Sequence, residues 1–229
     1  MQAKIKEIYE KIWAARKHQE NYAQRVEMAA LHMRREGDRV LDVGCGGGAL
    51  SVLIKENFTE VYGVDILEDA CSIAAQKGVI SQVVDLNAEA MPYNENFFDV
   101  VVCLDIIEHV LDPLRLLADC QRVLKYGGQF LLSTPNIRYF RHVINLIVHG
   151  RFPHTSGDTD IVWGGGHLYH FCCTDTVHLL KRAGFKRISL NIDECQFKNS
   201  RKRKVLRAII GEDLFREFFC AGIFAEAFK

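Results

Sequence analysis

The sequence predicts an α/β fold built on a doubly wound, mainly parallel sheet. Three observations carry that expectation. Short β-like runs alternate with helical ones from Arg39 onward, Phe98–Leu104 is apolar almost without interruption, and a glycine-rich turn follows the first β-like run. A continuous apolar run suits a parallel strand buried on both faces.

Taken in order, residues 1–36 are rich in helix formers, with Ile5, Tyr9, Ile12 and Trp13 at helical spacing, and read as one or two leading helices. Val40–Val43 is the first strand, Ala49–Asn57 a helix and Glu60–Val64 the second strand. Ala70–Lys77 is a helix closed by Gly78, and Gln82–Asp85 is the third strand. Phe98–Leu104 is the fourth. Leu111–Leu124 is a helix with Pro113 in its first turn and Gly127-Gly128 beyond its end. Gln129–Ser133 is the fifth strand, and Thr174–Ala183 a helix capped by Thr174 and ended by Gly184. Lys186–Asn191 and Cys220–Phe228 close the fold as strands. Residues 136–171 break the alternation; a long irregular segment of this kind inside a compact domain is usually functional.

With 29 basic and 29 acidic residues, the chain has no net charge that would favour nucleic acid. Eight cysteines lie scattered in apolar segments without a Cys-x-x-Cys pair, which suggests buried reduced thiols. The first residues are charged and lack an apolar signal core, and no apolar run approaches the roughly 20 residues of a membrane span. A soluble, cytoplasmic protein is expected. The one strong charge cluster, Lys198–Lys204, reads as a solvated loop between the last two strands. Its alternative is a peripheral membrane contact through Lys198–Arg207, where the basic run meets apolar residues.

The turn Leu41-Asp42-Val43-Gly44-Cys45-Gly46-Gly47-Gly48 places a ligand at a strand–helix junction. A Gly-x-Gly turn alone also opens dinucleotide sites. Asp42 sharpens the reading, because its carboxylate could face a ligand ammonium and would repel a pyrophosphate. Asp65, at the end of the second strand, can accept hydrogen bonds from both hydroxyls of a ribose, or can cap the following helix.

Five stretches follow one another here in the order of a known family: Val40–Leu50, Tyr62–Asp65, Asn87–Tyr93, Phe98–Val101 and Arg122–Gly128. Together they resemble the successive motifs of class I S-adenosylmethionine-dependent methyltransferases over roughly residues 38–190. Asp105–Val110 and Ser133–Asn136 look like the small-molecule branch that includes ubiquinone-biosynthesis O-methyltransferases. The resemblance implies a Rossmann-like, seven-stranded sheet with its last strand antiparallel. It also implies a helical cap over 1–36 and a methyltransferase domain over 37–229, with 136–171 covering the substrate. By the same resemblance Asp42, Gly44 and Gly46, with Cys45 between them, hold the amino-acid end of S-adenosylmethionine. Asp65 binds the ribose and Ile66 lies against the adenine. Asp85, Asn87 and the backbone of Ala88 meet the adenine edge, and Leu104 lies beside the methionine moiety.

Methyl transfer to a hydroxyl needs a positioned nucleophile and a proton acceptor, and histidine near its ordinary pKa suits that task. His109 follows the fourth strand, at the carboxyl edge where such sheets bind ligands. Its bland alternative is a loop histidine that shapes the cofactor pocket. His167, or failing it His170, is the second candidate, on a segment that Gly164–Gly166 could hinge. Glu108 reads as structural. Six of the nine histidines fall between His142 and His178, yet their spacing matches no tight ligand pattern, so no metal is expected. The reading is therefore O-methylation of a small molecule. Its rivals are a non-catalytic cofactor-binding regulator and a nicotinamide-dependent oxidoreductase.

Overall fold

The structure is a computed structural model and describes residues 21–34, 37–153, 155, 166–191 and 201–229. Trp13, Trp163 and most of the leading segment lie outside the described residues, as do Gly164, Gly165 and Lys198.

The described elements begin with α1 (Asn21–His32), β1 (Gly37–Val43), α2 (Ala49–Ile54) and β2 (Phe58–Asp65). They continue with α3 (Glu68–Gln76), β3 (Ile80–Val83), β4 (Phe98–Leu104), α4 (Pro113–Val123) and β5 (Leu124–Pro135). After β5 come α5 (Phe140–His149), α6 (Cys173–Arg182), β6 (Lys186–Asn191), α7 (Arg201–Ile210), α8 (Glu212–Phe219) and β7 (Gly222–Phe228). One seven-stranded sheet has the order β3-β2-β1-β4-β5-β7-β6, and β7 alone runs antiparallel to its neighbours. The expected α/β class, doubly wound sheet and antiparallel last strand are all present.

Each face of the sheet carries its own core. Val101, Cys103, Phe130 and Leu132 point to one face with Leu116, Leu117, Cys120 and Leu180 of α4 and α6. Val40, Val100, Val102 and Leu131 point to the other, with Leu50 and Ile54 of α2 and Val26, Met28 and Ala29 of α1. The alternation of Val100/Val102 with Val101/Cys103 is the two-residue period of a strand buried on both sides. Helix α1 is thus part of the core. The cysteines described are free, and all but Cys172 are buried.

Two segments differ from the expectation. Residues 136–171 are not irregular throughout, because α5 occupies ten of them. Its apolar residues share one side, opposite Arg141, His142, Asn145 and His149, yet none of its residues is buried. The chain between β6 and β7 is not a plain loop either. From Arg201 it forms two helices, α7 and α8, whose Arg, Lys, Leu and Ala residues are good helix formers. Strand boundaries shift as well: β3 lies two residues earlier than expected, and β5 begins at Leu124 and absorbs Gly127-Gly128.

Candidate active site

Because β1 neighbours both β2 and β4, the chain reverses its direction of travel across the sheet between β1 and β4. A crevice opens at the carboxyl ends of the strands at such a switch point. Asp42, Asp65 and Leu104 all lie at those ends.

The turn after β1 is anchored by its own backbone. The N–H groups of Gly44 and Cys45 donate to the Val64 carbonyl at 2.8 and 3.1 Å, and Gly48 donates to Cys45 at 2.9 Å. Gly46 donates to Asp65 Oδ2 at 2.9 Å. These donors are spent on protein acceptors, so the turn is not built as a phosphate cradle. Gly44 has φ +77°, and a Cβ there would fall 2.1 Å from Cδ1 of Ile106, so both conformation and space call for glycine.

Asp42 is 2 % exposed, and its Oδ2 has no hydrogen-bond partner among the described residues. Burial, and then the neighbouring charge of Asp65, push its carboxyl up to about 7. A buried, unsatisfied acceptor beside a second carboxylate is a poor arrangement alone and a good one for a cationic ligand group. Asp65 is better satisfied. Its Oδ1 accepts from Leu67 N–H at 3.0 Å and its Oδ2 from Gly46, while burial raises its pKa against those donors. Each oxygen keeps acceptor capacity for a diol. The helix-cap alternative is not met: the N-cap of α3 is Leu67, and Asp65 bonds the N–H of that residue and none in the first turn.

Other expected cofactor residues are placed less directly. Cys45 turns its thiol into the core against Gly63 and Val79, and its N–H and carbonyl both hold the turn. Leu104 likewise buries its side chain in the α1–α2 core. Ile66 follows Asp65 and is half-buried. Asp85 forms a turn of its own: Oδ1 accepts from Asn87 N–H at 2.9 Å and its carbonyl accepts from Ala88 N–H at 2.9 Å. Asn87 Oδ1 accepts from Leu111 N–H at 2.7 Å. The Asn87 carbonyl and the Ala88 amide, expected at the adenine edge, already serve this loop.

On the acceptor side, His109 is buried, and its Nδ1 lies 3.1 Å from the Gly166 carbonyl. A carbonyl only accepts, so Nδ1 carries a proton and donates it to Gly166. The His167 ring meets His109 edge-on, with centroids 4.6 Å apart, and its Nδ1 is 2.5 Å from Thr155 Oγ1. His170 is not part of this pair. It packs against Phe152, with centroids 5.0 Å apart, and burial lowers its pKa. Glu108 is buried and accepts from Thr134 Oγ1 of β5 at 3.0 Å. Glu108, His109 and His167 each present a ligand atom, all within 4.8 Å of one another. That donor set has the chemistry to hold a divalent ion, a proximity the linear spacing concealed.

Two further residues escaped the sequence reading. Arg25 of α1 forms an ion pair with Asp105, which adopts φ +54° just after β4 and also accepts from Ser133 Oγ at 2.9 Å. Aspartate is enriched among non-glycine residues with positive φ, so its place after a strand was the available signal.

A family model described as "Methyltransferase domain" matches residues 41–132. The chain is 40 % identical over 105 residues to the ubiquinone biosynthesis O-methyltransferase of Pseudomonas aeruginosa, covering 44 % of this chain and 45 % of the relative. It therefore spans about half the length of the curated relatives it matches. Among solved structures, it resembles a SAM-dependent methyltransferase from Archaeoglobus fulgidus with TM-score 0.68 and 23 % identity, over 96 % of this chain and 99 % of the other. A second, from Thermotoga maritima, described as a possible histamine N-methyltransferase, gives TM-score 0.62 at 17 % identity over 91 % and 89 %.

Proposed function

The domain over residues 41–132 is a class I S-adenosylmethionine-dependent methyltransferase domain, and from that premise we propose that the chain O-methylates a small-molecule hydroxyl. The observation that carries the proposal is the pinned ring of His109, whose Nδ1 proton is committed to Gly166. Its Nε2 then serves as general base. When bound, the cofactor supplies a methyl group on a positively charged sulfur. Asp42 holds its ammonium and Asp65 its ribose hydroxyls. Asp42 fits this role because its buried oxygen lacks a partner among the described residues. His109, flanked by His167, takes the proton of the acceptor hydroxyl. Segment 136–171 covers the acceptor and excludes water. Turnover on a panel of phenolic and aliphatic hydroxyl acceptors tests the proposal. Tight binding of S-adenosylhomocysteine without methyl transfer to any acceptor would favour a non-catalytic regulator.

The partner we propose besides the acceptor is an anionic membrane surface. Helices α5 and α7 expose apolar residues, among them Ile147 at 77 % and Ile209 at 75 %, and neither helix contains an acidic residue. Basic residues adjoin both, with Arg141 and Arg151 at α5 and Arg201–Lys204 in α7. Both helices are tied to α8: Phe140 stacks on Phe219, and Arg207 pairs with Glu212 at 2.7 Å. Among the described residues no helix is long and apolar enough to cross a membrane, so contact would be peripheral. Flotation with phosphatidylglycerol vesicles, unchanged by Lys204→Ser with Ile209→Ser, would remove this partner.

A further inference from the structure

The loop that the sequence assigned to the adenine and the segment carrying His167 meet at one peptide. The Leu111 N–H donates to Asn87 Oδ1 at 2.7 Å, and the Leu111 carbonyl accepts from Tyr169 Oη at 2.9 Å. Both flanks of this bridge are reinforced. Arg115 Nη2 donates to the carbonyls of Leu86 and Glu89 at 2.8 and 3.0 Å, and its own N–H is capped by Asp112 at 2.9 Å. On the other flank the Glu108 carbonyl accepts from Leu168 N–H at 2.7 Å and Tyr169 N–H at 3.2 Å. His109 Nδ1 holds the Gly166 carbonyl. Gly166 has φ +78°, a backbone angle that lets the segment turn into this contact.

We infer that Asn87 and Tyr169, joined through the Leu111 peptide, couple occupancy of the cofactor loop to the seating of residues 166–169 beside His109. Both are positioning residues, and neither touches the reacting atoms. The inference rests on the proposed reading for where the adenine lies. Its physical content is mutual: a ligand that orders residues 85–89 fixes the Asn87 carbonyl, which holds Leu111, whose own carbonyl then holds Tyr169. Any free energy passed along this route stabilises the closed segment and the bound cofactor equally. Each ligand then strengthens the binding of the other. The route is short, three residues long, and each link is a hydrogen bond that one substitution removes.

Hydrogen exchange with and without S-adenosylhomocysteine tests it, using the full chain. In the wild type the ligand should slow exchange in peptides covering 85–89 and in those covering 166–171. Tyr169→Phe keeps the ring but loses the bond to Leu111. At saturating ligand it should cut the ligand-induced slowing at 166–171 by about 2- to 12-fold while 85–89 stays protected. Asn87→Leu, read at saturating ligand because Asn87 itself belongs to the loop assigned to the adenine, should do the same at 166–171, and Asn87→Asp, which keeps an acceptor for Leu111, should restore the wild-type response. Undiminished slowing at 166–171 in both Tyr169→Phe and Asn87→Leu overturns the coupling and leaves the adenine placement standing. A wild type in which the ligand protects neither stretch overturns both.

Discussion

Asp42 and Asp65 stand at the ends of adjacent parallel strands, and the charge of one raises the pKa of the other. Burial is the larger cause for Asp42, whose carboxyl is pushed from 3.8 up to about 7. An acid with a raised folded-state pKa costs stability only where it must ionise. The cost is absent below about pH 4, grows between pH 4 and 7, and is complete above 7. The rise is worth about 4 kcal/mol at full effect. We expect thermal melts of the ligand-free protein to fall over this window, and Asp42→Asn to flatten the fall. Affinity for S-adenosylhomocysteine, whose ammonium pairs with the ionised form, should run the opposite way and strengthen from pH 6 to pH 8. Calorimetric titration at the two pH values checks it; equal affinities would remove Asp42 from the ammonium site.

Asp65→Ala should weaken S-adenosylhomocysteine binding by roughly 1–3 kcal/mol through lost hydroxyl contacts. Because Asp65 also accepts from Gly46 and Leu67, the melting temperature should drop as well. Affinity left unchanged in a folded variant would return Asp65 to a purely structural role.

His109→Gln should lower turnover by about 10²- to 10⁴-fold while S-adenosylhomocysteine still binds, as expected for loss of a general base. The variant should also lose the acidic limb of the pH–rate profile. If instead His167→Gln removes that limb and His109→Gln does not, the two histidines exchange roles.

We expect a chelator to leave turnover unchanged, in line with the absence of a ligand pattern in the sequence. The cluster of Glu108, His109 and His167 makes the experiment sharp. Activity lost to chelation and restored by magnesium or zinc would assign these three side chains to an ion.

Gly44→Ala should destabilise the protein by roughly 1–2 kcal/mol from its positive φ, with more added by the collision with Ile106. Denaturant unfolding reads this directly. A variant as stable as the wild type would mean that Ile106 withdraws without cost.

The sheet was legible because β1, β2, β4 and β5 are short apolar runs set off by Gly, Pro and Asp, and those signals are local. The places of Asp42 and Asp65 were legible for the same reason, as both sit within a residue of a strand end. The contact of Asn87 with Leu111 was not. The Asn87 side-chain carbonyl accepts from that residue 24 positions away, which no spacing reveals. The bond between His109 and Gly166 spans 57 residues, and the proximity of His109 to His167 follows from it. Helices α5 and α7 do follow the helical period, but they lie within stretches read as an irregular segment and as a loop.

The strand order has a consequence for how the chain assembles. β7 follows β6 in the chain yet lies between β5 and β6, so β6 reaches the sheet only by pairing with a strand made after it. A nascent chain that has released everything up to Asn191 holds five strands that can zip together in order and a sixth with no edge to join. Completion waits for some thirty more residues, which bring back Gly222–Phe228 against Gln129–Pro135. Loss of Gly222–Phe228 would leave β6 unpaired and open the edge of β5. The non-local pairing also delays the step that closes the fold.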